Sequence, residues 1–139
     1  MYRSEAAFST ALCQKLTTLC CPFIQRFESA VTGRGIPDLL LIIDRNDIWV
    51  ELKNDKKQVL KQSWFKVDWR VGQQTWAYNY YRATKRWTYT VMAVKDGFVI
   101  IPMSQRYRQN RVEAHDCYRG TTIADILEAI KIEQTKLKL

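Results

Sequence analysis

The sequence predicts an α/β fold with a central mixed β-sheet of about four or five strands flanked by helices. Three observations carry that reading. Apolar residues at helical spacing open the chain (Ala7, Phe8, Ala11, Leu12, Leu16, Leu19) and close it (Ile123, Ile126, Leu127, Ile130). Two β-branched runs, Leu39–Ile43 and Ile48–Val50, flank the polar break Asp44-Arg45-Asn46-Asp47 and read as a hairpin. Two further apolar runs flank Lys95-Asp96-Gly97, whose Asp-Gly pair is a turn signal. A length of 139 residues with 47% apolar content fits one domain over residues 1–139.

Ser4 stands where a helix N-cap belongs, with Glu5 in the first turn of a helix running to about Leu19. Phe23 to Glu28 reads as a strand, with Pro22 at its start, leading into Gly33-Arg34-Gly35. The glycines permit a turn or a close approach of backbone to a ligand. Arg34 between them is either a phosphate contact or a solvated loop arginine. Asn54 to Arg70 reads as a basic loop, with Trp64, Phe65 and Trp69 interleaved among its cations. Val71 to Lys85 predicts a helix with Val71, Trp76, Ala77, Tyr80 and Tyr81 on its apolar side. Trp87 to Val94 and Phe98 to Ile101 are strands, the second ended by Pro102. Ser104 to Arg119, carrying Arg106, Arg108, Arg111 and Arg119, reads as an exposed loop. Thr121 or Thr122 starts the last helix, with Leu137 also inward and Lys131, Lys136 and Lys138 suited to its C-terminal end.

Lys and Arg number 22 against 14 acidic residues, a net charge of +8. That balance favours a polyanionic partner. Lysines of residues 54–70 can neutralise phosphates, and the aromatics can stack on bases or wedge at a branch point. The same aromatics equally suit packing onto the core. No run of 18 apolar residues exists, which excludes a membrane-spanning helix. Met1 to Glu5 lacks the apolar core of a signal peptide, so the expectation is a cytoplasmic protein. Cys13, Cys20, Cys21 and Cys117 match no zinc template and read as reduced thiols; His115 reads as a surface loop residue.

The hairpin carries charges that an apolar strand does not hold without a reason: Asp38, Glu51 and Lys53. Glu51 and Lys53 share a face, because side chains alternate along a strand. If Arg45-Asn46 is the two-residue loop, Leu40 lies opposite Glu51 and Asp38 opposite Lys53, and Asp38 joins that face. A one-residue slip would send it to the other. Two carboxylates and an amine then converge on one patch, a donor set of hard oxygens suited to Mg²⁺ or Mn²⁺.

Pro37-Asp38 followed by Glu51-Leu52-Lys53 resembles the signature of the PD-(D/E)XK nuclease superfamily. Gly33-Arg34-Gly35-Ile36-Pro37-Asp38-Leu39-Leu40 before Val50-Glu51-Leu52-Lys53, then Gln73-Gln74-Thr75-Trp76, is similar to its VRR-NUC branch. Standalone members of that branch are phage- and bacterium-type Holliday junction resolvase-like enzymes. The resemblance covers about Ser4 to Val94. It implies a restriction-endonuclease-like core and hydrolysis of DNA phosphodiesters with one or two Mg²⁺ or Mn²⁺ per site. It implies work in DNA recombination and repair, in a bacterial or phage-infected host cytoplasm. The implied catalytic set is Glu5, Asp38, Glu51, Lys53 and Gln73. Metal ligands would be Asp38, Glu51, the Leu52 carbonyl and Glu5. Glu5 enters because the N-terminal helix of resolvase-like nucleases carries a glutamate that reaches the site; alone, it is as readily a helix-dipole partner. The Q-x-x-W spacing prefers Gln73 to Gln74. Arg34, Lys56, Lys57, Lys61, Lys66 and Arg70 are the candidate DNA contacts. The implied substrate is branched DNA, cut by a homodimer to whose interface the Trp64 to Tyr81 aromatics contribute. Two other readings stay open: a non-catalytic nucleic-acid-binding module on the same fold, and a nuclease nicking flaps or ordinary duplex. The complete Asp-Glu-Lys set argues against the first, since binding phosphate does not need carboxylates.

Overall fold

The structure, a computed structural model, describes residues 2–19, 23–27, 35–104 and 110–137. Cys20, Cys21, Pro22, Glu28, Gly33, Arg34, Arg106, Arg108 and Lys138 lie outside the described residues, as does the side chain of Leu137.

Helix α1 (Glu5–Leu19) starts where the sequence places it, with Ser4 Oγ accepting the Ala7 N–H at 3.1 Å. Strands β1 (Phe23–Arg26), β2 (Leu39–Ile43) and β3 (Asn46–Asn54) follow. Then come β4 (Trp64–Lys66), helix α2 (Gln73–Thr84), β5 (Tyr89–Val94) and β6 (Gly97–Pro102). Strand β7 (Arg111–Glu113), a single 3₁₀ turn (Ala114–Asp116), β8 (Tyr118–Gly120) and helix α3 (Ile123–Leu137) complete the chain. His115 is exposed on the 3₁₀ turn.

The main sheet has six strands in the order β1-β2-β3-β5-β6-β8. Only β3 and β5 run parallel; the other neighbours are antiparallel. A parallel pair needs a crossover, and α2 lies within it. Two faces result. On one, Phe8, Leu12 and Leu16 of α1 and Ile126 and Ile130 of α3 meet Leu39, Leu41, Val50, Leu52 and Val91. On the other, Met92, Val94, Val99 and Ile101 meet Ala77 of α2 and the Phe65, Val67, Trp69 and Val112 side chains.

Six strands exceed the expected four or five because β8 adds to the main sheet, and both segments read as loops contain strands. Tyr118–Gly120 joins the sheet edge against β6, and Arg111–Glu113 pairs with Trp64–Lys66 in a separate two-stranded sheet. From residue 64 to 70 burial alternates strictly, with Phe65, Val67 and Trp69 buried and Trp64, Lys66, Asp68 and Arg70 exposed. This is strand periodicity carried by a basic segment. Phe65 and Trp69 therefore belong to the core, and only Trp64 of that trio faces outward. Helix α2 also starts later than expected. Gly72 has φ 98°, a conformation no helix continues through, and Val71 before it is 103% exposed rather than apolar-side.

The hairpin turn falls one residue earlier than Arg45-Asn46. Ile43 pairs with Asn46, and the loop is Asp44-Arg45, both at positive φ (51° and 68°) as the favoured two-residue turn requires. Leu39 pairs with Val50, which puts Asp38 level with Glu51 instead of Lys53. Moving the turn by one residue moves the pairing by two, so Asp38 keeps its face.

Candidate active site

Sheet alternation turns Ile48, Val50 and Leu52 toward α1 and α3, and Trp49, Glu51 and Lys53 toward α2. Glu51 and Lys53 are only 7% and 6% exposed, an unusual burial for a glutamate and a lysine. Their head groups lie 3.9 Å apart, a loose ion pair. What holds them is Gln73, the first residue of α2. Its Nε2 donates to Glu51 Oε2 at 2.8 Å, while its Oε1 accepts from Lys53 Nζ at 3.0 Å and from the Arg70 N–H at 2.8 Å. Two donors on one atom and a carboxylate on the other leave the amide a single orientation. Gln74 points elsewhere, donating to Asn110 Oδ1 at 3.3 Å.

Asp38 precedes β2 and reaches across to β3, where its Oδ2 accepts the Leu52 N–H at 2.7 Å. Leu52 lies past the last β2 pair, so Asp38 takes the place of a neighbouring strand. The backbone of Asp38 is fixed from the other side, its carbonyl accepting the Phe27 N–H at 2.8 Å. The loop before it is pressed onto α2: a Cβ on Gly35, whose φ is +75°, would overlap the Gly72 carbonyl and lie 2.8 Å from the Gln73 nitrogen.

Electrostatics mark the pair. Burial, then the charge of Asp38 and a hydrogen bond to it, push the Glu51 carboxyl up from 4.5 to about 9; Lys53 opposes and Glu5 adds. As carboxylates, neither Glu51 nor Asp38 can donate to the other. Glu51 Oε1 accordingly is buried without a hydrogen-bond partner among the described residues. A proton shared with Asp38 would satisfy it, and so would a cation.

Glu5, in the first turn of α1, opens onto the same place. It lines a cavity of about 180 Å³ with Lys53, Lys66, Asp68 and Arg70. Partial burial raises its carboxyl above the ordinary value; Lys53 opposes this, Asp38 adds to it, Arg70 opposes and Asp68 adds. Asp38, Glu51 and Glu5 are not gathered closely enough to ligate one ion together: among the described residues no group of three His, Cys, Asp or Glu side chains is. Of the candidate DNA contacts, Lys66 and Arg70 border this cavity, Lys57 borders the next cleft, and Lys56 and Lys61 are exposed beyond them. Asp68 is a site-lining residue that the sequence reading passed over. Its signal is the alternation of residues 64–70, which sets Lys66, Asp68 and Arg70 on one side. Asn54 is another, donating to the Tyr2 carbonyl at 2.9 Å and so tying the start of α1 to the end of β3.

Neither the family models nor the curated proteins contain a match to this sequence. Among solved structures the chain is similar to Hjc of Archaeoglobus fulgidus, described as a Holliday junction resolvase from an archaeal hyperthermophile. The TM-score is 0.55 over 76% of this chain and 85% of that one, at 14% sequence identity. The chain therefore shares that protein's fold, built here on a six-stranded mixed sheet flanked by helices.

Proposed function

We propose that this protein is a metal-dependent DNA endonuclease of the PD-(D/E)XK type, close to the VRR-NUC branch, acting on branched DNA. The observation that carries the reading is the pairing of Asp38 with Glu51, which is buried beside Lys53 with its Oε1 lacking a hydrogen-bond partner among the described residues. A structural ion pair would satisfy that oxygen; a site that takes up a cation leaves it open. The donor set fits Mg²⁺ or Mn²⁺, held by Asp38, Glu51 and the Leu52 carbonyl, with Glu5 nearby. Such an ion supplies an acidified water and charge neutralisation at a phosphate.

The chain's own residues do the rest. Gln73 holds Glu51 and Lys53 at fixed separation, so neither rotates away when DNA arrives. Lys53 directs its ammonium to the reacting phosphate. Asp38 is anchored by the Leu52 N–H and keeps its second oxygen for the ion. Lys56, Lys57, Lys61, Lys66 and Arg70 neutralise phosphates of the flanking strands.

The test is cleavage of a four-way junction, and of linear duplex with the same arms, in Mg²⁺, Ca²⁺ and EDTA. Cleavage is expected in Mg²⁺ or Mn²⁺, binding with little cleavage in Ca²⁺, and none in EDTA. Asp38→Asn and Glu51→Gln should lose cleavage by at least ~10²-fold, the loss typical of removing one catalytic group. Both should keep their gel shift, because each removes a negative charge from the path of phosphate. Cutting by Asp38→Asn at the parental rate overturns the assignment and leaves a binding module.

A further inference from the structure

The cavity at Lys53 does not end there. Beyond it lies a second cleft of about 560 Å³. Asp55, Lys66 and Asp68 border both, so one groove runs outward from Lys53, the buried neighbour of Glu51. Lys57, Gln62 and Trp64 form its far part.

Trp64 is 40% exposed in a stretch whose other large rings are buried. It is nonetheless held. The Arg111 guanidinium from the paired strand lies 4.2 Å from the indole centroid, and Glu113 accepts from that arginine at 2.8 Å. Gln62 fixes the backbone by donating to the Trp64 carbonyl at 3.1 Å. A ring already ordered loses little further freedom when something stacks on it.

The charges lining this second cleft cancel. Lys57 and Lys66 stand against Asp55 and Asp68, and Asp55 spends its oxygens on the Lys57 N–H at 3.0 Å and the Gln58 amide at 2.8 Å. A balanced cleft has no surplus of cations for a continuous run of phosphates beyond the single contacts of Lys57 and Lys66. It suits a flat, uncharged ring.

We infer that Trp64 is a stacking platform for an unpaired base of the strand that leaves the cut site. The protein thereby selects DNA in which a single strand departs from the duplex near the scissile phosphate, over fully paired duplex. This rests on the nuclease reading above and narrows its substrate.

The experiment compares linear duplex with the same duplex carrying a short unpaired arm, for the parent, Trp64→Ala and Trp64→Phe. The parent should favour the armed substrate. Trp64→Ala should raise KM on it roughly tenfold, the size of one base–aromatic stack, with kcat nearly unchanged, and the preference should collapse. Trp64→Phe should retain most of it. In Ca²⁺, a 2-aminopurine in the arm should be quenched by the parent and the Phe variant but not by the Ala variant. A Trp64→Ala protein with parental KM, preference and quenching overturns the inference while cleavage itself stands. If the parent cuts no DNA, the nuclease reading falls, and quenching that survives Trp64→Ala still overturns the platform.

Discussion

Glu51 concentrates the chemistry of the molecule in one side chain. One oxygen is held by Gln73, the other has no hydrogen-bond partner among the described residues, and burial beside Asp38 pushes the group up to about 9 from 4.5. Between those values the metal-free native protein keeps a proton that the unfolded chain has released. Its contribution to stability is therefore full below about 4.5 and lost as pH rises through about 9. In EDTA the melting temperature should fall from pH 5 to pH 9. Glu51→Gln, neutral at every pH, should flatten that slope and raise the melting temperature at pH 9 by roughly 4 °C, about 1 kcal/mol in a domain of this size. A divalent cation must displace the same proton, so the gain in melting temperature from Mg²⁺ should grow with pH in the parent and vanish in Glu51→Gln. Equal slopes in parent and variant would refute the buried-acid account.

At the scale of elements, the site is where the loop ahead of β2, the strand β3 and the start of α2 are clamped together. Asp38 bonds the β3 backbone, Gln73 bonds the β3 side chains, and Gly35 lies against Gly72 and Gln73. The far end of α2 is fixed as well: Tyr80 Oη donates to Asp47 Oδ2 at 2.7 Å, and Arg86 pairs with Asp47 at 3.0 Å. Between these ends Trp49 packs on Trp76, which stacks on Tyr80. Gly35→Ala attacks the clamp without touching a charged group. It introduces a side chain at φ +75° and onto the Gly72 backbone, so α2 must give way. A loss of roughly 1–3 kcal/mol in urea unfolding is expected, with a larger fall in kcat than in DNA affinity because Gln73 moves. Parental kcat in this variant would show that the contact does not position the site.

For the whole molecule, the expected homodimer meets a surface smaller than the sequence suggests. Of the aromatics between Trp64 and Tyr81, Phe65 and Trp69 are buried, and Trp76 and Tyr80 pack on Trp49 and each other. Trp64 and Tyr78 are the exposed large rings that remain. We still propose a dimer, since resolving a branch requires two cuts and a two-fold assembly presents two sites. Light scattering at tens of micromolar should give twice the chain mass. A monomer, unchanged by adding junction DNA, would exclude it.

Much of this was legible in residue order, and the limits have physical causes. Helix periodicity located α1 and α3, apolar runs located β2, β3, β5 and β6, and side-chain alternation along a strand assigned the faces of β3. The same alternation put Glu51 and Lys53 on one face, and it was present at residues 64–70, where lysines and arginines on the outward positions masked it. The hairpin register was not legible. A turn at Asp44-Arg45 or at Arg45-Asn46 pairs inward apolar residues with inward apolar residues equally well, so a two-residue slip changes no burial. Contacts from outside the hairpin fix it, Asp38 on the Leu52 amide above all. Burial of Glu51 and Lys53, the bridge made by Gln73 and the groove ending at Trp64 also belong to tertiary structure alone. Each needs residues from separate elements, and the distance between elements is set by packing, which no single stretch of sequence encodes.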